Sequence, residues 1–151
     1  MAERWPDLAG RIVDGVHVLP VRVYYEDTDF SGFVYHANYL KFCERGRSDC
    51  LRLLGIHHHE LDWHETEGRM GFVVRRMVCD FLKPARIDEV LEVESRFAGL
   101  SGARIDIDQR VIRADDTLFQ ATVTAVLVDG RGRPKRFPRS IIARLAELIR
   151  N

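Results

Sequence analysis

One helical pattern in the sequence is long enough to cover a sheet, and it constrains the fold more than any other feature. Between residues 38 and 54, apolar or small side chains recur every three or four positions, which indicates an amphipathic helix: Tyr39, Leu40, Cys43, Gly46, Cys50, Leu53 and Leu54. Gly55 marks the predicted end of this helix. Glycine in mid-helix costs about 1 kcal/mol relative to alanine, so we expect another element to pack closely against Gly46.

Strand-like segments lie on both sides of this helix. One precedes it at residues 16–25, where Pro20 is typical of an edge or bulged strand. Four follow it, at roughly residues 71–82, 89–97, 103–113 and 117–128, and a short amphipathic helix is predicted over 140–149. The connections Gly-Leu-Ser-Gly and Ala-Asp-Asp are short enough for hairpins, so we expect the four later strands to form an antiparallel meander.

This order of elements predicts an α+β protein. A five-stranded antiparallel sheet must bury its apolar face, and the long helix is the element of adequate size to cover it. A sheet wrapped around one long central helix is the hotdog fold. With 151 residues, of which 46% are hydrophobic, the chain is expected to form a single domain over residues 1–151.

The charge balance and the absence of apolar runs exclude several classes of partner. The 23 basic and 23 acidic residues cancel, so no overall field draws the chain to nucleic acid or to an anionic membrane. No apolar run approaches the roughly 18 residues of a membrane span, and the first residues include acids and Pro6. We therefore expect a cytoplasmic protein without membrane insertion. Three cysteines without CxxC spacing suggest buried, reduced thiols.

Polar residues are densest between the first strand and the long helix, at residues 24–39. Backbone N–H groups at the start of a helix are unpaired and lie at the positive end of its dipole, so they can polarise a carbonyl or hold an oxyanion. Asp29, seven residues before His36, is then the candidate base or nucleophile. An acidic turn before a helix also serves as a cap or a turn, and the residues alone leave both interpretations open.

The motif in this segment resembles that of a known family. It runs Asp27-x-Asp29-x-x-Gly32-x-Val34-x-His36-x-x-Tyr39, with Arg-Val-Tyr-Tyr before it and Phe-x-Glu-Arg-x-Arg after it. This pattern is similar to the hotdog acyl-CoA thioesterases of the 4-hydroxybenzoyl-CoA thioesterase type, and within them to the YbgC-like bacterial branch. The close match covers roughly residues 21–54.

The resemblance implies an enzyme that hydrolyses an acyl-CoA thioester to a free acid and coenzyme A, without a cofactor or a metal. It implies that Asp29 is the catalytic carboxylate and that the backbone N–H at His36 donates a hydrogen bond to the thioester carbonyl. It also implies that Tyr25 is a catalytic residue. Because thiolate is a good leaving group, one carboxylate suffices, either by activating water or by attacking the carbonyl to form an anhydride. The sequence leaves both routes open.

The resemblance also implies an acyl pocket and an oligomer. The pocket wall maps to Met70, Gly71, Phe72, Val73 and Val74, and subunits of this fold pair into homodimers, often homotetramers, with each site completed by the partner. Phe30 and Phe33 are bulkier than the residues expected beside this turn. Because the wall is apolar and Phe30 adds to it, we expect short or aromatic acyl groups to be preferred over long chains. Association with the Tol-Pal system follows from the resemblance alone.

A basic segment, residues 131–136, carries four cations in six positions of a neutral chain. We interpret Arg133, Lys135 and Arg136 as a site for the phosphates of coenzyme A, with a solvated loop as the alternative. RNA binding would need the same charges, but the strands lack a basic and aromatic nucleic-acid motif.

Several competing sites are weaker. Glu44 on the long helix is a rival base, but Arg47 on the same face is expected to pair with it, as Arg45 is with Asp49. A dehydratase histidine would need a Pro-Gly context that His36 lacks. A metal site is not supported in the cluster formed by His57, His58, His59 and His64, because Trp63 stands where the HExxH pattern needs histidine. The remaining alternative is a hotdog module that binds an acyl thioester or a protein without catalysis.

Overall fold

The computed structural model describes residues 8–57, 61 and 68–149. Its strands form one antiparallel six-stranded sheet in the order β1-β2-β4-β5-β6-β3. The strands are β1 (Arg11–Val13), β2 (Val16–Arg22), β3 (Met70–Phe81), β4 (Val90–Ser101), β5 (Arg104–Arg113) and β6 (Asp116–Asp129). The helices are α1 (His36–Leu53) and α2 (Arg139–Ile149), with one 3₁₀ turn at Tyr25–Asp27.

The predicted hotdog fold is confirmed, since the sheet wraps around α1, but the predicted number of five strands is wrong. The additional strand β1 pairs with the first residues of β2 through a hairpin at Asp14 and Gly15. Both turn residues have positive φ, 52° and 78°. Asp-Gly strongly favours a hairpin, but β1 has only three residues, too few for a recognisable strand pattern in the sequence.

The meander is correct for β4, β5 and β6 but not for β3. β3 pairs with β6 at the far side of the sheet, and β2 takes the place beside β4. The reason is the connection from β3 to β4, residues 82–89, which is too long for a tight hairpin and carries the chain back across the sheet. This leaves β3 as one edge of the sheet.

The predicted close contact at Gly46 is confirmed. A Cβ built on Gly46 would lie 3.0 Å from Val93 Cγ1 and 3.3 Å from Ser95 Oγ, both on β4. Phe42, Cys43 and Cys50 are completely buried on the same side of α1. Glycine here therefore lets the helix axis approach the sheet at the centre of the core.

The two ion pairs predicted along α1 do not form. Arg47 Nη1 donates instead to Gln109 Oε1 on β5 at 2.9 Å. Asp49 is buried, and its Oδ2 accepts from Gly10 N at 2.8 Å and lies 2.6 Å from His17 Nε2. Arg47 and Asp49 therefore connect α1 to strands of the sheet and do not form ion pairs within the helix.

The three cysteines are free thiols. Burial raises the pKa of both Cys43 and Cys50 to about 12, so neither is an effective nucleophile near neutral pH. Within residues 8–57, 61 and 68–149, neither helix has the length and apolar character needed to cross a membrane.

Candidate active site

Between β2 and α1 the chain makes a small protruding hairpin. Thr28 and Val34 pair as an isolated antiparallel bridge. Inside it, Asp29 N donates to Phe33 O at 3.1 Å and Gly32 N donates to Asp29 O at 3.0 Å. Gly32 has a φ of 85°, a conformation that favours glycine. The sequence therefore places Asp29 on a tight turn just before the helix.

Asp27, the first aspartate of the motif, has a structural role. It is buried, and its Oδ2 accepts from Tyr24 N at 2.8 Å. Its carbonyl oxygen accepts from Tyr35 N at 2.9 Å and from Asn38 Nδ2 at 2.9 Å. The Asn38 side chain thus joins the first turn of α1 to the acidic segment, a contact that the sequence analysis did not foresee.

Asp29, the second aspartate, is exposed and is oriented by one neighbour. Its Oδ1 accepts from Ser31 N at 2.8 Å and from the Ser31 hydroxyl. These two hydrogen bonds, with a smaller contribution from the charge of His36, hold the pKa of Asp29 below its usual value of 3.8. Asp29 is therefore a carboxylate at neutral pH. The Asp-x-Ser spacing is typical of such a turn, and it is the sequence feature that could have predicted the role of Ser31.

His36 is the first residue of α1, two residues before the helix start predicted at Asn38. Tyr35 at the N-cap makes no side-chain cap, and the amides of His36 and Ala37 have no acceptor within the helix. These donors point out of the positive end of the helix dipole, which suits an oxyanion. The His36 ring lies 4.5 Å from the Tyr35 ring and 5.9 Å from that of Phe81, measured between centroids.

An open cleft of about 560 Å³ contains Asp29. Tyr25, predicted from the family resemblance, lines the same cleft, and so does Phe30, which is fully exposed. Ile87, from the β3–β4 connection, completes the apolar side. The structure thus brings Tyr25 and Asp29 to one cleft, while His36 lies beside it at the start of α1.

The predicted acyl wall begins β3. Because side chains alternate along a strand, Met70, Phe72 and Val74 face one way, and Gly71 and Val73 face the other. Phe72 and Val74 line a second cavity of about 450 Å³, and Met70 is buried, whereas Val73 and Val74 are each 46% exposed. The other apolar residues of this cavity come from α1 and the inner face of the sheet: Leu51, Phe97, Ile105, Ile107 and Ala125.

β3 separates the two predicted parts of the site. His36 contacts Phe81 at the end of β3, whereas Met70 at its beginning pairs with Asp129. Twelve residues of strand span roughly 36 Å. Within one chain, the Asp29 turn therefore lies at the opposite end of β3 from the predicted acyl wall and from the basic segment.

The basic segment forms a tight turn after β6. Asp129 Oδ1 accepts from Arg131 N at 2.8 Å and from Arg133 N at 3.0 Å. Lys135 N donates to Leu127 O at 2.8 Å, which folds the segment back along the strand. Arg133 and Arg136 are exposed and Lys135 is half-buried.

The competing sites are less well placed. Glu44 is exposed on α1, two turns after His36, and lines the second cavity instead of the cleft with Asp29. Of the histidine cluster, His57 lies within the described residues, and His58, His59 and His64 lie outside them. Over the described part of the chain, no three His, Cys, Asp or Glu side chains are grouped to hold a metal ion.

Comparisons with known proteins agree with the fold. The family model described as the thioesterase superfamily matches residues 31–120. The acyl-CoA thioester hydrolase YbgC of Escherichia coli is 42% identical over 126 residues, which are 82% of this chain and 91% of the relative. The acyl-CoA thioesterase YbgC of Haemophilus influenzae is 40% identical over 133 residues, 87% of this chain and 96% of the relative.

Solved structures give the same result. A probable thioesterase from Bartonella henselae superimposes with a TM-score of 0.78 at 43% identity, covering 82% of this chain and 99% of that one. A thioesterase from Thermus thermophilus, solved in complex with coenzyme A and Zn, superimposes with a TM-score of 0.73 at 27% identity. The match covers 91% of this chain and 96% of that one. The fold is that of a hotdog thioesterase. The chain belongs to the thioesterase superfamily.

Proposed function

We propose that this protein hydrolyses acyl-CoA thioesters, with Asp29 as the catalytic carboxylate and the start of α1 as the oxyanion site. One observation carries the proposal: an ionised, Ser31-oriented carboxylate lies in an open cleft beside an uncapped helix N-terminus. The names of the YbgC relatives, acyl-CoA thioester hydrolases, support the substrate class. We further propose one catalytic domain, acting in the cytoplasm.

The chemistry needs few groups. In one route Asp29 takes a proton from water, the resulting hydroxide attacks the thioester carbonyl, and the tetrahedral intermediate expels the thiolate of coenzyme A. In the other, Asp29 attacks the carbonyl, the thiolate leaves, and water hydrolyses the mixed anhydride. In both routes negative charge develops on the carbonyl oxygen, where the amides of His36 and Ala37 stabilise it.

Tyr25 and the His36 side chain have supporting roles in this proposal. The Tyr25 hydroxyl is exposed in the cleft of Asp29 and can donate to water or to the substrate. The His36 ring is packed against Phe81, and its interaction with Asp29 contributes to the lowered pKa of that carboxyl group. Phe30 lines the same cleft and adds apolar surface to it, which supports a preference for short or aromatic acyl groups.

We infer that the working enzyme is a homodimer or a homotetramer with composite sites. β3 is an edge strand with exposed apolar side chains, among them Val73, Val78 and Phe81, and such an edge is a template for pairing with another chain. Antiparallel pairing of two β3 strands would place the beginning of one beside the end of the other. Each Asp29 turn would then adjoin the partner chain's acyl wall and basic segment.

In this arrangement Arg133, Lys135 and Arg136 of one chain hold the coenzyme A phosphates for the other. Arg133 and Arg136 extend from the turn after β6, at the end of the sheet where β3 begins. Guanidinium and ammonium groups are the usual partners of phosphate. Association with Tol-Pal is a proposal that rests on the family resemblance alone.

Release of free thiol from a panel of acyl-CoA substrates tests the function. The panel contains short aliphatic, aromatic and long-chain acyl groups, with the Asp29→Asn variant measured beside the wild type. We expect turnover of at least one short or aromatic substrate, and its loss in the variant. A wild type that binds acyl-CoA but releases no thiol from any substrate would indicate a binding module instead.

A further inference from the structure

The turn that carries Asp29 is hydrogen-bonded to the connection between β3 and β4, residues 82–89. Val34 N donates to Ala85 O at 2.9 Å, and Phe33 pairs with Arg86 in an isolated bridge. The Arg86 guanidinium also lies 4.7 Å above the Phe33 ring. The position of Asp29 relative to α1 therefore depends on where this connection lies.

Arg113, the last residue of β5, holds both ends of that connection. Its Nη1 donates to Pro84 O at 3.1 Å and to both carboxylate oxygens of Glu89, each at 3.1 Å. Glu89 in turn accepts from Arg86 N. One guanidinium thus closes the loop formed by residues 84–89 and supports the residue that stacks on the Asp29 turn.

The backbone around Arg113 is shaped for this contact. The register between β5 and β6 shifts between Val111 and Ile112, immediately before Arg113, and such bulges redirect the following side chain. α1 adds a second support, since Ala85 N donates to the Tyr39 hydroxyl at 3.1 Å. Ala85 and Tyr39 are buried, whereas Arg113 and Glu89 keep 30% and 26% of their side chains exposed.

We propose that Arg113, through Glu89 and the Pro84 carbonyl, is a positioning residue for thioester hydrolysis. It holds the 84–89 loop against the Asp29 turn and thereby fixes the carboxylate relative to the amides at the start of α1. This inference rests on the proposed catalytic role of Asp29. Because Arg113 does not line the Asp29 cleft, its loss should disturb the reacting geometry more than the binding of coenzyme A.

The test compares kinetic constants of Arg113→Met, Arg113→Lys and Glu89→Gln with those of the wild type. Arg113→Met should lower kcat by about tenfold or more with KM within about twofold, since small misplacements of catalytic groups are costly. Arg113→Lys should recover part of the loss, because lysine keeps the charge but cannot donate in a fork. Glu89→Gln keeps a hydrogen-bond acceptor and should fall between wild type and Arg113→Met.

Arg110→Met is the matched control. Arg110 lies on the same strand and pairs with Glu94 across the sheet, with Nη2 2.8 Å from Oε1. This variant removes an equivalent ion pair away from the Asp29 turn and should leave kcat unchanged. Amide hydrogen exchange at Val34, whose N–H bonds to Ala85 O, should accelerate in Arg113→Met and not in Arg110→Met.

Two results would overturn the inference. If Arg113→Met lowers the melting temperature but keeps wild-type kcat and Val34 protection, Arg113 is merely structural, and the proposed function stands because Asp29→Asn remains inactive. If Asp29→Asn itself retains wild-type turnover, the proposed catalytic role fails, and the positioning role fails with it. If Arg113→Met does not fold, kcat, KM and Val34 hydrogen exchange of Arg113→Lys and Glu89→Gln test the positioning role instead.

Discussion

Asn38 and Asp27 join the turn that carries Asp29 to the helix, because Asn38 Nδ2 donates to the carbonyl oxygen of Asp27 at 2.9 Å. The same oxygen accepts from Tyr35 N, so it anchors both the N-cap and the first turn of α1. Asn38 is almost completely buried. A buried side-chain amide at this place fixes the distance between the acidic turn and the backbone amides of the helix, and it uses neither Asp29 nor those amides.

Replacing Asn38 by alanine should therefore weaken both the fold and the rate. Loss of one buried side-chain hydrogen bond costs about 1 to 2 kcal/mol, and the freed turn should lower kcat as well. Urea denaturation gives the stability and steady-state kinetics give kcat. Ser101→Ala, at the exposed tip of the β4–β5 hairpin, is a control that should change neither. An Asn38→Ala variant with unchanged stability and rate would remove this anchor from the account.

The pH dependence of the rate should follow the lowered pKa of Asp29. Because the carboxylate is the active form and its pKa lies below 3.8, kcat/KM should stay flat from neutral pH down to about pH 5 and fall only in more acidic solution. Ser31→Ala removes the hydroxyl donor and should move this acid limb to higher pH. Carboxyl NMR titration of Asp29 in both proteins checks the assignment, and identical titration curves would argue against it.

We expect the subunits of the oligomer to associate through the exposed edge of β3. Val78 is 48% exposed on this strand, and a lysine there should disfavour edge-to-edge pairing. We expect Val78→Lys to shift the protein toward monomer in light scattering and to lose activity, because each site would lack its partner's half. Ile142→Lys, which changes a similarly exposed side chain on α2, is the control. A fully active monomer would contradict the composite site.

The basic segment should contribute binding energy that is equal in the ground and transition states. Neutralising Arg133 and Arg136 with glutamine should raise KM for acyl-CoA with little change in kcat, and high salt should reduce the difference from wild type. An acyl-pantetheine thioester, which lacks the nucleotide phosphates, should be insensitive. Arg11→Gln, on β1 at the opposite edge of the sheet, is the control. If the substitutions change KM equally for acyl-CoA and for acyl-pantetheine, the basic segment does not bind the phosphates and is a solvated loop.

The sequence predicted those parts of the molecule that depend on local patterns. The long helix, three strands of the predicted four-stranded meander and the turn before α1 follow from periodicity, short connections and turn residues close together in the chain. The order of these elements also predicted the hotdog fold. The resemblance assigns a role to Asp29, which no local pattern could do.

The remaining features depend on long-range packing. The place of β3 beside β6, the pairing of Asp49 with His17 and the support of the Asp29 turn by Arg113 join residues far apart in sequence. Arg47 shows the difficulty: its spacing from Glu44 indicated a helical ion pair, yet Gln109 from β5 is its hydrogen-bond partner. Helical spacing alone does not show which neighbour from the sheet competes for a side chain.

The most direct test of the account is kcat for Asp29→Asn on the best acyl-CoA substrate, beside Glu26→Gln as a neighbouring exposed acid and Glu44→Gln as the rival base. If Asp29 is the base or the nucleophile, the Asp29→Asn substitution should lower kcat by at least about a hundredfold. The circular dichroism spectrum and the melting temperature should stay close to those of the wild type. Both glutamine variants should retain normal turnover. Near-normal turnover by a folded Asp29→Asn protein, above all with loss in Glu44→Gln, would contradict the account.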